Sequence, residues 1–391
     1  MAVAGVFASD QNIVGTRRGD FASAILQVMP TGSAPLLALS AGMETKPAND
    51  TIVTWFEENH VSGRVQVSSF VTDGDGTGFV LTDASSFVVG TILLNDTTGE
   101  YVFVTAVSGN TITVTRGFAG STAVTVTTSH FFQRIGTGHE EGSARPVAIA
   151  NLGFPRYNYV QIFRNAWNLT GTAMAVEYIT GSIIAKNKAD AANYHAEDIE
   201  RSIIWGRRQI SVLNSQPFRT MDGINSQITT NVSVGDANMQ WSEIDLFLRN
   251  VFSRNIRGKP NERIGFCGNT VLGVLNEIAI RSSVVNIEPG QTQFGMNVSK
   301  WITPYGNISL LTHPLMNESP VWTQELYVYH PGAIRTRYLR RTHEDNYDKD
   351  GSRAGVDADF GVITTEMTVE YRAELTGGRY TAISGASTTQ P

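Results

Sequence analysis

Between Val61 and Arg134 the chain is written largely in valine, threonine, glycine and phenylalanine, with apolar residues alternating against polar ones. A period of two is the pattern of strands with one buried face, and no helix of useful length fits it. "EYVFVTAV" and "TITVT" flank the short turn "SGN" and read as a hairpin. "GFVLT", "GTILLND" and "AVTVTT" supply further short strands at similar spacing. Such a block predicts a small all-β module with its own core, closing as a compact barrel. Turn-rich "NHVSG" and "GTGHEEGSARP" bound it, as expected of an inserted domain whose ends lie close together.

The remaining chain must fold around that interruption. Residues 1 to about 50 read as an arm with little core. "GVFASDQNIVGTRRGD" has no sustained period, and "MPTGSAPLLALSAG" is punctuated by Pro30, Gly32, Pro35 and Gly42. Between them "DFASAILQV" can form two helical turns behind an Asp20 cap. Beyond Pro155, "YNYVQIFRNAWNLTG" reads as strand and "TAMAVEYITG" is ambiguous. Asp190 then caps a helix whose apolar or small residues recur at Ala192, Ala196, Ile199, Ile203, Gly206, Ile210 and Leu213. That stripe predicts one helix over 190–213, roughly 35 Å long at the usual rise. "MQWSEIDLFLRNVFSRNI" and "NTVLGVLNEIAIRS" read as amphipathic helices, with "RIGFCG", "GNISLLTH" and "QELYVYH" as strands between and after them. In "GVITTEMTVEYRAELTGGRY" strict alternation at Val362, Thr364, Glu366, Thr368 and Glu370 predicts a long strand with one polar face. "SGASTTQP" reads as a disordered tail.

Composition narrows the chemistry. The 391 residues allow two or three domains. Cys267 stands alone, which excludes an intrachain disulfide framework and a cysteine-based zinc site. A net charge of −6 does not point to a nucleic-acid binder. Charged residues make up 17%, below the roughly 25% typical of soluble domains. That fits either a β-rich composition or a surface destined for subunit contacts. No apolar run approaches the roughly 20 residues of a membrane span, so no membrane association is expected. "MAVAGVFASD" lacks the charged start of a secretory signal.

No catalytic constellation emerges. His195, Glu197, Asp198 and Glu200 crowd one stretch, but His195 and Asp198 at i,i+3 supply only two ligands, and HExxH is absent. Glu197 precedes Arg201 by four residues, the favourable order for a surface ion pair, so a solvated or interfacial helix face is expected. "DGDGTGFVLTDA" places Asp73, Asp75 and Thr77 at calcium-loop spacing, yet Ala84 occupies the position of the bidentate glutamate, and a hairpin turn is expected. GxSxG, Walker and GxGxxG motifs are absent, and the seven histidines are scattered. "THEDNYDKD" reads as a solvated loop. "TRYLRR" and Arg17–Arg18 could meet phosphates, although paired arginines on a strand more often donate salt bridges. No enzyme activity, cofactor or metal is expected.

The order of parts carries a resemblance: loose arm, β excursion, solitary long helix, α/β region, long final strand. "GDFASAILQVMPTGSAPLLALSAGM" is similar to an arm signature, and "YVQIFRNAWNLTGTAMAVEY" through "ERSIIWG" to a strand–helix core. "GVITTEMTVEYRAELTGGRYTAISG", with its Glu-x-Thr-x-Glu kernel, is similar to a closing strand. Together they resemble the major capsid proteins of tailed bacteriophages, and the fold class implied is α+β of the Hong Kong 97 type. The resemblance implies an N-terminal arm over 1–49 and an extended loop over 50–165, carrying the β module at about 62–135. It implies a peripheral domain over 166–225 with a spine helix at 190–213, an axial domain over 226–335, and a return to the peripheral domain over 336–391.

The function so implied is self-assembly, in hexamers and pentamers, into an icosahedral virion shell. The shell would be made in the host bacterial cytoplasm and would enclose double-stranded DNA without sequence-specific binding. Portal protein, and scaffold or decoration proteins, would be further partners; no scaffolding segment precedes the arm, so scaffolding is expected to be separate or absent. Phe21, Ile25, Leu26, Ile199, Ile203 and Ile210 are the expected assembly contacts. The fold's type member crosslinks a loop lysine to a neighbour's asparagine. Here no lysine lies between Lys46 and Lys186, which implies a shell held non-covalently by arm and loop contacts. An encapsulin-like compartment is the same-fold alternative. A β-rich carbohydrate-binding adhesin or tail protein, stacking sugars on Tyr101 and Phe103, is the alternative of another class, and an enzyme with a composite site is a third.

Overall fold

The computed structural model describes residues 43–178, 181–282, 287–289, 299–346 and 357–386. Residues 1–42 of the arm, with Phe21, Ile25 and Leu26, lie outside them. The chain divides into two compact units, Met1–Trp55 with Arg156–Pro391, and Phe56–Pro155.

Strands β1 (Glu44–Pro47) and β2 (Ile52–Glu57) precede the second unit. Within it β3 (Arg64–Phe70), β4 (Gly78–Leu81), β5 (Thr91–Asn95), β6 (Tyr101–Ser108), β7 (Thr111–Thr115) and β8 (Phe131–Thr137) close a barrel in the order β3-β4-β7-β6-β5-β8. Alternation does the sorting: Val67, Phe79, Leu93, Val102, Ile112 and Phe132 point inward and are buried, while their neighbours in sequence face out. Closure leaves the barrel without a free sheet edge. "AVTVTT" is not a strand, contrary to its alternation; Val126 is buried there, but its N–H donates to Gly74 O at 2.9 Å instead of to a ladder. The Asp73 loop is a turn, with Asp75 N donating to Asp73 Oδ1 at 3.1 Å.

The chain leaves this unit through β9 (Phe154–Tyr159), which pairs with β2, so the entering and leaving segments are neighbours. Then come β10 (Gln161–Thr170), the short helix α1 (Gly171–Ala175) and the long helix α2 (Ile183–Trp205). A hairpin of β11 (Gln209–Leu213) and β12 (Gln216–Thr220) follows, then α3 (Ile224–Gln227), β13 (Val232–Val234) and α4 (Trp241–Phe252). After β14 (Glu262–Cys267) and α5 (Asn269–Ser282) lie β15 (Ile287–Pro289), β16 (Ser299–Thr303), β17 (Gly306–Thr312) and β18 (Leu326–Tyr329). The described chain ends with β19 (Ile334–Asn346), β20 (Ala358–Tyr371) and β21 (Gly378–Thr381).

Two sheets organise the first unit. One is four-stranded, β1-β19-β20-β10, with β10 antiparallel to β20 from Gln161↔Met367 to Thr170↔Ala358. Helix α2 packs on it through Ile199, Ile203 and Ile204, against Phe163, Met367 and Val369. The other is seven-stranded, β13-β21-β18-β14-β17-β16-β15, and α4 and α5 pack on it through Ile244, Phe247, Val251, Val271 and Leu275.

Four expectations change here. Helix α2 starts at Ile183 behind Ser182, whose hydroxyl accepts from Ala185 N, not at Asp190. It stops at Trp205, because Gly206 turns to ψ 151°. Backbones cross at this point: Gly223 N donates to Gly206 O at 3.0 Å, and a Cβ on Gly223 would lie 2.6 Å from Gly206 N. Ile210 and Leu213 therefore belong to the hairpin. Thr342–Asn346 of the expected solvated loop extends β19, paired as far as Asn346↔Gly361. The polar face of β20 is buried, since Thr364, Glu366, Thr368 and Glu370 lie in an interior strand. Ser384–Ala386 of the expected tail is tied down, with Met239 N donating to Gly385 O at 3.1 Å and Met239 bridging Ala386.

Candidate assembly surfaces

The histidine and carboxylates of α2 separate into two roles. His195 is 3% exposed, which overturns its expected place on a solvated face. Its Nδ1 lies 2.8 Å from Asn165 Oδ1 and its Nε2 2.7 Å from Thr365 Oγ1. An amide oxygen only accepts, so Nδ1 donates, while the Thr365 hydroxyl, which also lies 2.7 Å from Thr342 Oγ1, can serve Nε2 as donor or acceptor. Burial depresses the pKa of the ring against the pull of Asp198 and so favours its neutral form. Glu200 is also buried, its Oε1 3.3 Å from His313 Nε2. Leu315 N donates to His313 Nδ1 at 3.3 Å, leaving Nε2 as the protonated nitrogen that faces the carboxylate. Glu197 and Asp198 stay at the surface beside Arg201, which also reaches Glu318 at 3.0 Å. Among the described residues no group of three or more His, Cys, Asp or Glu could hold a metal ion.

The arginines of "TRYLRR" serve the glutamates of β20. Arg337 Nε donates to Glu370 Oε1 at 2.6 Å, Arg372 Nε to Glu370 Oε2 at 3.0 Å, and Arg340 Nη2 to Glu366 Oε1 at 2.5 Å. A central strand can carry two carboxylates because each is met by a guanidinium from the same sheet face.

The expected assembly residues also divide. Ile199 and Ile203 lie in the subunit's own core, Ile203 fully buried. The apolar spacing of a helix does not say what covers it. Ile210 is exposed, together with Val212 (74%), Leu213 and Phe218, on the hairpin β11–β12. This hairpin forms a two-stranded sheet of its own, turned by Asn214 and Ser215 at φ 50° and 61°. Two consecutive left-handed residues make the tight turn matched to strand twist. The apolar repeat of the preceding helix runs on into this hairpin, and Asn214 between two short alternating runs is its signal in the sequence. In the second unit, residues 141–153 have no strand or helix, and Val147 and Leu152 stand 74% and 84% exposed.

A long helix laid on one sheet and a second sheet with its own helices, interrupted by a barrel, make a mixed α+β fold of the Hong Kong 97 capsid type. Two solved structures share it at a TM-score of 0.50. One is the capsid of a native GTA particle, 5% identical and covering 96% of this chain and 97% of that one. The other is Mycobacterium phage Bobi, 9% identical and covering 96% and 98%. The chain belongs to the SU10 major capsid protein family, whose family model matches residues 7–384. The major capsid protein of Pseudomonas phage PaMx41 is 26% identical over 388 residues, 94% of this chain and 93% of that relative.

Proposed function

We propose that this phage major capsid protein self-assembles, as hexamers and pentamers, into an icosahedral head shell that encloses double-stranded DNA. The family match across residues 7–384 carries this reading, and it favours a virus over an encapsulin-like compartment or an adhesin. Residues 1–49 are then the arm and 50–165 the extended loop with its barrel. Residues 166–225 and 336–391 form the peripheral domain, and 226–335 the axial domain. The role is architectural, not enzymatic, and the shell resides in the virion with a portal and any scaffold or decoration protein as partners. Ile210 and the hairpin around it, with Phe21, Ile25 and Leu26 of the arm, supply contacts between copies.

The shell is held non-covalently, because the loop from Lys46 to Lys186 has no lysine side chain between those two to act as nucleophile. Electron microscopy of the purified chain tests the first claim, with closed shells expected and only monomers or aggregates counting against it. A denaturing gel of mature particles tests the second: a single band is expected, and a ladder of multimers would refute it.

A further inference from the structure

The loop between α4 and β14 concentrates positive charge in an acidic chain. From Arg249 to Arg263 there are five cations and one carboxylate, Glu262. Arg254, Arg257 and Lys259 are exposed, and their side chains make no ion pair or hydrogen bond among the described residues. The loop is nevertheless ordered. Asn255 Nδ2 donates to Lys259 O at 3.0 Å, Lys259 N to Ile256 O at 3.0 Å, and Asn261 Nδ2 to Tyr305 O at 2.9 Å. Beneath it Arg263 is 1% exposed, with Nη2 donating to Arg254 O at 2.8 Å and Nη1 to Glu262 O at 3.1 Å. Both acceptors are neutral carbonyls, so this cation is held without a carboxylate in its hydrogen-bond shell. Burial brings its pKa down to about 10, still charged at neutral pH.

Like charges so arranged repel, and a polyanion would relieve them. The exposed groups are donors only. The rim, Ser253, Asn255, Pro260 and Asn261, is not the apolar centre of a stable protein interface. No exposed aromatic residue stands among them to stack a base.

We propose that residues 253–261 dock the sugar–phosphate backbone of nucleic acid, without reading its sequence. The proposal rests on the shell reading, since it names a surface for the DNA that the shell encloses.

The test is anisotropy of a short mixed-sequence DNA duplex with the full chain, between about 50 and 200 mM salt. Arg254→Gln, Arg257→Gln and Lys259→Gln combined should lower the slope of log affinity against log salt by about 2 to 3, at roughly 0.9 per phosphate contact. Arg254→Lys with Arg257→Lys should keep it. A control with Arg145→Gln, Arg164→Gln and Lys186→Gln, three exposed cations from elsewhere, should change the slope by less than about 1. Equal losses in both triple variants, or no loss in the loop variant, would overturn the proposal. So would a folded loop variant that no longer forms shells, which would make the loop a contact between copies. If the unaltered chain formed no shells, the shell reading would fail while the binding slopes still decided the loop's role.

Discussion

Glu100 and Arg116 meet inside the barrel, the carboxylate with no exposed surface. Burial alone would raise the Glu100 pKa. The two-pronged contact from Arg116, at 2.6 and 2.7 Å, together with the N–H groups of Gly117 and Val124, outweighs it and holds the carboxyl below its usual value. A lowered folded pKa means stability that is present above the unfolded value of about 4.3 and is lost as pH falls through the folded one. The protection of barrel amides, taken relative to the intrinsic exchange rate at each pH, should therefore fall on acidification below about pH 4. Arg116→Ala should destabilise the barrel by about 3–5 kcal/mol at neutral pH, because the carboxylate stays buried without its partner. Exchange that ignored both changes would contradict this account. His195 obeys the same sign. Its folded ring stays neutral where the unfolded one protonates, so its contribution is intact above about pH 6.5 and declines as pH falls. His195→Ala should cost about 1–3 kcal/mol for the groups it leaves unsatisfied, before any cavity is counted. A shift in the urea midpoint of that size is expected, where a surface histidine would give about 0.5 kcal/mol or less. The sequence showed a histidine among carboxylates; that Asn165 and Thr365 lie beside it depends on β10 and β20, 30 and 170 residues away.

At the scale of elements, propensity and period identified strands and helices but not their limits. Helix α2 ends where two glycine backbones must touch, and the second of these, Gly223, is 17 residues beyond the first in the numbering. Local sequence carried the apolar repeat straight through that crossing. The hairpin that results leaves Val212 and Phe218 exposed, Phe218 less so. If copies cover it in the shell, Val212→Ser with Phe218→Ser should leave the subunit's urea midpoint within about 0.5 kcal/mol, as ordinary surface changes do. Shell yield by sedimentation should fall sharply in the same variant. Unchanged yield would remove the hairpin from the list of contacts. The four-stranded sheet teaches a related point: alternation in β20 marked two faces correctly, yet the polar one meets Arg337 and Arg340 of β19 and Arg372 just beyond β20, not water.

For the whole molecule, the barrel has a closed hydrogen-bond circuit and its own core, and its entry and exit strands are paired. The fragment Phe56–Pro155 should fold alone into a monomeric β domain with a cooperative melt; a random-coil circular dichroism spectrum would make it dependent on the rest of the chain. A cut at residue 135 would remove the end of β8, where Thr137 pairs with Thr91. By itself the sequence determined the α+β class, the inserted β module, the two amphipathic helices of the seven-stranded sheet and the likeness to phage capsid proteins, because each is written in a local period or a short motif. Only the tertiary structure decided that His195 and Glu200 are interior, that the glutamates of β20 are clamped by arginines, and that Ile199 and Ile203 face the subunit's own core while Ile210 faces out. Those outcomes are set by which distant segment arrives to cover a side chain, and a one-dimensional pattern records only that covering is needed.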